Sequence, residues 1–444
     1  MRSKNMELSG WGRALSAEVR AWRPERAPGL AEAFRAERED GVIVYAGGRS
    51  YGDAPLNGGG DVIMTGRLDR ILSADWETGE VVCESGVTIG DLMRVALSHK
   101  FIVPVSPGTG FATVGGGLAN DVHGKNQHRH GSFGDHVQWV DLMLPSGEIK
   151  RITPVGDTAD LFNATVGGIG LTGIMLAMSI KLRRVKSNAV LMREKKARNL
   201  DEFLAMQEEA REKHAYVVGW IDATARGRSL GRGIMESADD SQGETDAPMG
   251  GRKRMPVEMP GYAMNPVSIG LFNALYYHRL PFGGRERQAP VTQFLYPLDA
   301  IEDWNRLYGK RGFYQFQCVL PEAESAVGLR KLMEAISDAG TGSFLAVLKS
   351  MGKWGRGHLS FPMPGYTLAL DFPHKPGVIE LLERLERITL DHGGRIYLAK
   401  DGAMKAESFA QMYPKLDEFR AVLDRIDPNR VMDSDMSRRL KIRG

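Results

Sequence analysis

Two glycine-rich stretches decide the fold: Ala46-Gly-Gly-Arg-Ser-Tyr-Gly-Asp-Ala-Pro-Leu-Asn57 and Ser106-Pro-Gly-Thr-Gly-Phe-Ala-Thr-Val-Gly-Gly-Gly117. Glycines close together in a turn let successive backbone N–H groups point into one concavity, which binds phosphate oxygens. Between the stretches, short apolar runs and the periodic segment Val87–Lys100 predict a strand–helix–strand unit. A glycine-rich hairpin would explain the first stretch equally well. The two stretches together favour a pyrophosphate clamped between two loops.

A third glycine cluster, Gly168-Ile-Gly-Leu-Thr-Gly173, formally matches the GxGxxG fingerprint of dinucleotide-binding domains. That fingerprint must open a helix, but here a strand-like run, Ile174–Leu182, follows it. NAD binding in a Rossmann fold is therefore disfavoured. The uncharged stretch Leu161–Ile180 is long enough to span a bilayer, yet its glycines favour a turn followed by a buried strand.

Length and composition narrow the class of protein. With 444 residues the chain exceeds the size of one hydrophobic core, so we expect two domains. The 58 basic and 55 acidic residues give a net charge of only +3, which argues against a nucleic-acid partner. Cys83 and Cys318 are too few for a disulfide framework, and no Cys/His cluster predicts a metal site. The first residues lack the apolar core of a signal peptide, so we expect a soluble, cytoplasmic protein.

The pattern of the sequence changes near Val185. Before it, glycine turns bound short strands; after it, Leu200–His214 and Ser325–Gly340 show helical periodicity among strand-like runs. Such alternation predicts a second α+β domain built around one sheet. The polar segment Ser237–Pro256 has no period, and we expect a surface loop that lies over the active site.

At this point several motifs become recognisable as those of one family. They are GGRSYGDAPLN (47–57), VSPGT (105–109), GGGLANDVHGKNQHRHGSFGDHV (115–137), LFNATVGGIGLTGI (161–174) and IDPNRVMDSDMSRRL (426–440). The chain resembles the vanillyl-alcohol-oxidase/PCMH superfamily of FAD enzymes and, within it, the decaprenylphosphoryl-β-D-ribose 2'-oxidase family. The resemblance runs nearly from end to end.

The resemblance implies a fold and an activity. The fold would be α+β, with a PCMH-type FAD-binding domain (1–186), a substrate domain on an antiparallel sheet flanked by helices (187–394), and a C-terminal return to the FAD domain (395–444). The activity would be oxidation of C2 of a polyprenylphosphoryl-β-D-ribose, the first half of epimerisation to arabinose for cell-wall polysaccharides. A short-chain dehydrogenase would reduce the keto-sugar, and the lipid substrate implies peripheral contact with the inner membrane.

Two other functions stay open at the level of sequence. A soluble FAD-dependent sugar, alditol or aldonolactone oxidase would share the superfamily fold and use no lipid. A non-catalytic scaffold would share the fold alone, but the two glycine stretches and Lys400 argue against it.

The family pattern also implies which residues meet FAD. They are Gly47, Gly48, Arg49, Ser50, Tyr51, Gly52, Asp53, Ala54, Gly108, Thr113, Val114, Gly115, Gly116, Asn120, Asp121, Val122, His123, Ile174 and Tyr397. Many superfamily members attach the flavin through a histidine in the first glycine loop. Tyr51 stands there in this chain and has no imidazole nitrogen, so we expect non-covalently bound FAD.

The remaining site residues are carried over in the same way. Lys400 corresponds to the family's essential lysine, and Lys125 and His123 are further candidates for handling the proton. The substrate-binding candidates are Gln315, Gln317, Lys349 and Trp220, and Lys349 is the expected partner of the substrate's phosphate. Gln315 and Gln317 are two apart on a predicted strand and would face the same side.

Three positions depart from the family pattern. Leu295 stands where the family has tyrosine, with Tyr296 one residue later. Ala369 replaces the pocket cysteine that covalent inhibitors attack, and Thr367 replaces an asparagine. These departures bear on which sugar and lipid are bound, not on the redox chemistry.

Overall fold

The computed structural model describes residues 3–34, 40–247, 251, 253–261, 264–341 and 343–444. The strands are β1 (Ser3–Ser9), β2 (Ser16–Trp22), β3 (Val42–Tyr45), β4 (Asp61–Met64), β5 (Ile71–Asp75), β6 (Glu80–Glu84), β7 (Phe101–Ile102), β8 (Val137–Met143), β9 (Ile149–Ile152), β10 (Ile174–Lys181), β11 (Arg183–Arg184), β12 (Ala189–Ala197), β13 (Tyr216–Ile221), β14 (Gly233–Asp240), β15 (Lys253–Arg254), β16 (Arg285–Pro290), β17 (Ile301–Glu302), β18 (Phe313–Pro321), β19 (Ala346–Met351), β20 (Gly365–Pro373) and β21 (Arg395–Ile396). The helices are α1 (Ala27–Phe34), α2 (Ile89–Ser98), α3 (Val114–Ala119), α4 (Gln127–His130), α5 (Ala159–Thr165), α6 (Leu200–Lys213), α7 (Pro266–His278), α8 (Val291–Leu295), α9 (Glu322–Ala339), α10 (Val378–Asp391), α11 (Ala406–Met412), α12 (Leu416–Ile426) and α13 (Asp435–Arg439).

Two larger sheets form most of the first part of the chain, with strand orders β1-β2-β4-β3 and β5-β6-β10-β8-β9, and β7 pairs with β11 in a separate two-stranded sheet. The helix predicted over Val87–Lys100 is α2, whose N-cap Thr88 accepts a hydrogen bond from the Asp91 amide at 3.0 Å. The cluster ending at Gly173 leads into strand β10, so its GxGxxG pattern does not open a helix. The sequence prediction for this cluster is therefore confirmed.

The second part is built on one antiparallel sheet of order β16-β12-β14-β13-β19-β20-β18-β21. Helices α6, α9 and α10 pack on one face of this sheet. Side chains alternate along β18, so Cys318 lies on the helix side whereas Gln315 and Gln317 lie on the opposite side. That opposite side is the one that faces the glycine-rich loops.

The C-terminal segment returns to the first domain in two steps. Strand β21 is still hydrogen-bonded to β18 in the large sheet. Helix α12 then packs against α5, and Met432 forms a bridge with Val42 at the edge of the first sheet. The expected boundary after residue 394 therefore lies two residues before the chain leaves the large sheet. One buried apolar cluster spans both parts, from Val19 in β2 to Leu382 in α10.

The predicted surface loop Ser237–Pro256 needs a correction. Residues 237–240 are the end of β14: all four pair with β12, and Ser237 and Ala238, which are buried, also pair with β13. Lys253–Arg254 form the short strand β15, which pairs with β17. Residues 248–250 and 252 of this segment lie outside the described residues. Among the helices of the described ranges, none combines the length and the apolarity needed to cross a membrane.

Candidate active site

A cavity of about 930 Å³ lies between the two glycine-rich stretches and the large sheet. Its lining includes Ala46–Tyr51 from the first stretch and Ser106–Thr109 from the second. Strands β18, β19 and β20 supply the facing side chains. The volume is near the upper end of the range for cofactor and small-molecule sites, roughly 300–1,000 Å³.

The first glycine-rich stretch can lie close to neighbouring backbone only because glycine has no side chain. A Cβ on Gly52 would lie 1.7 Å from the carbonyl oxygen of Asp401. The Tyr51 amide donates a hydrogen bond to the carbonyl of Ala399 at 2.9 Å. This stretch is therefore packed directly against the segment that carries Lys400.

Arg439 links the first glycine-rich stretch to the segment that carries Lys400 by ion pairs. Its guanidinium pairs with Asp53 in the first stretch at 2.8 Å and with Asp401 at 2.8 Å. The carboxylate of Asp53 is thus directed toward the C-terminal tail and not into the cavity. The family's SDMSRRL motif has a structural role here that the sequence alone did not indicate.

Most of the predicted FAD contacts do line the cavity. These are Gly47, Gly48, Arg49, Ser50, Tyr51, Ala54, Gly108, Thr113, Gly115, Gly116, Asn120, Val122, His123 and Tyr397.

Five predicted contacts lie outside this lining: Gly52, Asp53, Val114, Asp121 and Ile174. Val114 and Ile174 are buried in the apolar core. Asp121 is fully buried and accepts hydrogen bonds from the Ser360 hydroxyl at 2.6 Å and the Gly134 amide at 3.1 Å. Direct contact of these five residues with FAD stays a prediction, and the structure shows that Asp53 and Asp121 already have hydrogen-bond partners within the protein.

Four buried polar atoms on the cavity wall have no hydrogen-bond partner within the described part of the chain. They are Arg49 Nε, Ser85 Oγ, Asn120 Oδ1 and His123 Nδ1. Buried polar groups in native proteins are nearly always hydrogen-bonded, so these atoms require a polar ligand. The residues present therefore fit a cofactor with phosphate and heterocyclic polar groups. The described His, Cys, Asp and Glu side chains form no cluster that could hold a metal ion.

The opposite wall is assembled by strand register. Gln315 pairs with Asp371 and Gln317 pairs with Ala369 across β18 and β20, and Lys349 pairs with Thr367 across β19 and β20. The amide nitrogen of Gln317 donates to the Thr367 hydroxyl at 3.1 Å. The two predicted glutamines therefore share one face.

Lys400 lies in the cavity lining, and the fully buried Asp371, which is outside the lining, affects its charge. The Lys400 ammonium lies 3.7 Å from the centroid of the Tyr51 ring. Burial lowers the pKa of Lys400 below its ordinary value, opposed by Asp371 and reinforced by Lys349. Burial raises the pKa of Asp371, opposed by the hydrogen bond from Gln315 and by Lys400. The lysine can therefore change its protonation state at lower pH than a solvated lysine.

Lys400 does not end a strand. Strand β21 stops at Ile396, and Leu398–Lys400 form a turn of 3₁₀ helix. The preceding Tyr397 donates its hydroxyl hydrogen bond to the Asn120 carbonyl at 2.8 Å. The turn thus places Lys400 in the cavity lining and joins its segment to the second glycine stretch.

The other proton-handling candidates differ in their surroundings. Burial, with Lys349 and Lys400 nearby, holds the pKa of His123 well below its usual range, so its imidazole is neutral at pH 7. His123 Nε2 lies 3.0 Å from the amide nitrogen of Gln317. Lys125 donates to the Phe294 carbonyl at 2.6 Å, and its ammonium lies 3.7 Å from the Glu236 carboxylate. Lys125 is therefore held by a hydrogen bond and an ion pair within the protein.

Lys349 and Trp220 also line the cavity. Burial, with Lys125 nearby, lowers the pKa of Lys349 to about 8. The Trp220 indole donates to the Phe344 carbonyl at 2.9 Å, and its ring packs against Tyr276 with centroids 4.8 Å apart. The structure thus brings all four predicted substrate-binding residues to one cavity.

Comparison with known proteins agrees with this geometry. Residues 22–153 match the model of an FAD binding domain, and residues 371–440 match that of D-arabinono-1,4-lactone oxidase. The chain is 37% identical to decaprenylphosphoryl-β-D-ribose oxidase of Mycolicibacterium smegmatis over 451 aligned residues, which cover 98% of this chain and 97% of the relative. The chain belongs to the decaprenylphosphoryl-β-D-ribose oxidase family.

Two further relatives define the range of similarity. An uncharacterised protein of Streptomyces coelicolor is 31% identical, with 80% of this chain and 100% of that protein covered. L-gulonolactone oxidase of Mus musculus is 23% identical over 40% of each chain. The predictions of an α+β fold, an FAD cofactor and an FAD-dependent oxidoreductase are confirmed.

The departures from the family pattern have clear positions in the structure. Leu295 and Ala369 line the cavity, so they replace pocket side chains directly. Tyr296 is not among the residues that line the cavity, but its hydroxyl lies 2.6 Å from that of Ser106, which is. Asp371 was missed by the sequence reasoning, although it stands two residues after Ala369 on the same strand face.

Proposed function

We propose that this chain oxidises the C2 hydroxyl of a polyprenylphosphoryl-β-D-ribose to a ketone, as the first half of an epimerisation to arabinose. The support comes from the M. smegmatis relative, whose name states this substrate, and from the extent of the similarity. One structural observation carries the chemistry. Lys400 is an ionisable side chain of lowered pKa on the wall that faces the glycine-rich stretches.

Bound FAD supplies the hydride acceptor for this reaction. The glycine-rich stretches would hold its pyrophosphate, to which Arg49 Nε would donate a hydrogen bond, and Asn120 Oδ1 would accept one from an N–H group of the cofactor's rings. Lys400 then holds or accepts the proton of the reacting hydroxyl. Its lowered pKa suits both roles, because a fraction of the side chain is neutral near physiological pH.

The remaining cavity residues orient the sugar. Gln317 presents an amide on the cavity face of β18, and neutral His123 lies beside it. Lys349 supplies a positive charge for the substrate's phosphate. Trp220 presents an apolar ring edge for the adjoining part of the substrate.

The FAD is proposed to be bound without a covalent link. Tyr51 is enclosed between Lys400 and Phe313, whose ring centroid lies 5.6 Å from that of Tyr51. A phenol ring offers no imidazole nitrogen for attachment. Denaturing the protein should release all flavin into the supernatant, and flavin retained on the protein band of a denaturing gel would contradict this proposal.

Two partners follow from the proposed reaction. The keto-sugar has to be reduced from the other face to give arabinose, so we propose a short-chain dehydrogenase as the reductase. A polyprenyl phosphate is held in a bilayer, so we propose a peripheral contact with the inner membrane.

The decisive experiment is anaerobic reduction of the bound flavin. We expect polyprenylphosphoryl-β-D-ribose to bleach the flavin absorbance, while free ribose and aldonolactones leave it unchanged. Product analysis should show a 2-keto sugar on the lipid.

A second candidate is an aldonolactone oxidase. The match of residues 371–440 to the D-arabinono-1,4-lactone oxidase model favours it, because this range contains both Asp371 and Lys400. Reduction of the flavin by a free lactone, but not by the lipid-linked ribose, would select this function over the first.

A further inference from the structure

Helix α7 presents an apolar face to solvent. Val267, Leu271 and Leu275 are 79%, 62% and 65% exposed, and their spacing of four residues puts them on one side of the helix. Phe282, in the turn after α7, is 97% exposed. We call these four residues the α7 face. Monomeric proteins in water rarely expose a contiguous apolar patch unless it meets a partner or a membrane.

The other side of the same helix borders the cavity. Ile269, Phe272 and Tyr276 are part of the cavity lining. Tyr276 packs on Trp220, and the Phe272 ring packs edge-on against Phe344 with centroids 5.6 Å apart. Helix α7 is thus a wall between the cavity and solvent. A partner or membrane that binds the outer face of α7 therefore lies next to the cavity.

Positive charge lies beside the C-terminal end of α7. The buried carboxylate of Glu194 is shared by three guanidinium groups, those of Arg279 at 2.8 Å, Arg285 at 3.3 Å and Arg287 at 4.0 Å. One carboxylate cannot neutralise three cations. The cluster therefore keeps an excess of positive charge at the surface.

The apolar face and the cations are in direct contact. The Lys196 ammonium lies 5.0 Å from the centroid of the Phe282 ring. The sequence holds no Asp or Glu from residue 259 to residue 285, a range that includes all of α7. An apolar helix face flanked by Lys and Arg is the pattern of helices that lie in the interface of an anionic bilayer.

We propose that the α7 face docks on an anionic lipid bilayer and holds the cavity against the leaflet from which the substrate is drawn. The choice of a bilayer rests on the proposed function, because a polyprenyl phosphate is carried in a membrane. The charge agrees with that choice. A second copy of this chain would add an identical cationic cluster to the interface, whereas an anionic bilayer supplies the opposite charge.

The test is binding of the FAD-loaded protein to phosphatidylcholine vesicles with and without phosphatidylglycerol, measured by co-sedimentation. We expect binding only to the vesicles with phosphatidylglycerol, and weaker binding at high salt because the electrostatic part is screened. L271E/L275E should weaken binding by about tenfold or more, because two apolar side chains leave the interface. Phe282→Glu, at the most exposed position, should weaken it as well. The control V155E/V327E changes two exposed valines far from α7, 73% and 53% exposed, and should bind like the wild type.

Two results would overturn the docking proposal. One is unchanged vesicle binding by both α7-face variants. The other is a wild-type dimer in sedimentation velocity that L271E/L275E abolishes, which would assign the face to a second copy.

The vesicle assay contains no substrate, so its failure does not affect the proposed chemistry. Flavin reduction by a detergent-dissolved short-chain substrate should be equal in the wild type and L271E/L275E. Reduction by a vesicle-embedded long-chain substrate should fall in parallel with binding. Failure of every polyprenyl sugar to reduce the flavin would overturn the proposed function alone.

Discussion

The two walls of the cavity differ in which protein atoms form them. The wall formed by the glycine-rich stretches is mostly backbone, and its shape depends on the absence of side chains, as at Gly52 against Asp401. The wall formed by the large sheet is made of side chains whose charges depend on one another, as for Lys400 and Asp371. A substitution in the first wall should act through steric overlap and be severe. A substitution in the wall formed by the large sheet should act through charge and change the activity by a smaller amount.

The largest effect is expected for Gly52→Ala. The new Cβ would lie 1.7 Å from the Asp401 carbonyl oxygen, so either the first glycine stretch or the Lys400 segment must move. We expect the purified variant to contain no FAD and to melt at a lower temperature, as measured by absorbance and calorimetry. Gly66→Ala is the matched control, since Gly66 does not line the cavity and no atom beyond the adjoining residues lies within 4 Å of a Cβ at that position. Normal flavin content in Gly52→Ala would show that this wall is not rigid.

The next effect is expected for Lys400→Ala. Loss of the group that holds the reacting proton should slow flavin reduction by about 100-fold or more, as loss of a transition-state donor typically does. FAD content should stay unchanged, because Lys400 is not part of the glycine-rich stretches. Lys400→Arg keeps the charge but misplaces it, so only partial rescue is expected. Anaerobic stopped-flow at saturating substrate measures both, and a wild-type rate in Lys400→Ala would remove this residue from the chemistry.

The two walls also differ in how well the sequence predicts them, because one depends on backbone and the other on side chains. The glycine wall could be predicted because its pattern is local: one glycine-rich turn fits a hairpin equally well, but two such stretches together favour a phosphate-binding backbone. Lys400 and Asp371 are separated by a helix and come near each other only through the packing of the 3₁₀ turn against β18, which pairs with β20. No local pattern indicates such a pair. The end of β14 was missed because Ser237, Asp239 and Asp240 are polar, although all four residues from 237 to 240 pair with β12.

Asp371→Asn should change the pH dependence of flavin reduction more than its maximal rate. The Asp371 carboxylate stabilises the Lys400 ammonium, so removing its charge lowers the pKa of Lys400. The inflection attributed to Lys400 should therefore move to lower pH, by about one unit. The asparagine still offers an oxygen to Gln315. Lys349→Gln is a control of opposite sign, because Lys349 lowers the pKa of Lys400 and its loss should move the inflection to higher pH. Shifts of the same sign in both variants would contradict the electrostatic account.

The smallest effect is expected for reagents that attack the family's pocket cysteine. We expect these reagents to leave the activity of the wild type unchanged. Ala369 lines the cavity where that cysteine would stand, and it has no nucleophile. The neighbouring Cys318 lies on the opposite face of its strand, and burial raises its pKa to about 12, so almost no thiolate forms. Cys83 is equally buried, and its pKa is also raised to about 12.

Time-dependent loss of activity should therefore be absent in the wild type and appear in Ala369→Cys, with the label mapped to residue 369 by mass spectrometry. Because the register of β18 and β20 pairs Gln317 with Ala369, a thiol at 369 would lie beside a proposed sugar contact. Labelling there should be blocked by substrate. Irreversible labelling of the wild type at Cys318 would mean that β18 turns its other face to the cavity. Different side chains would then form the wall on the side of the large sheet.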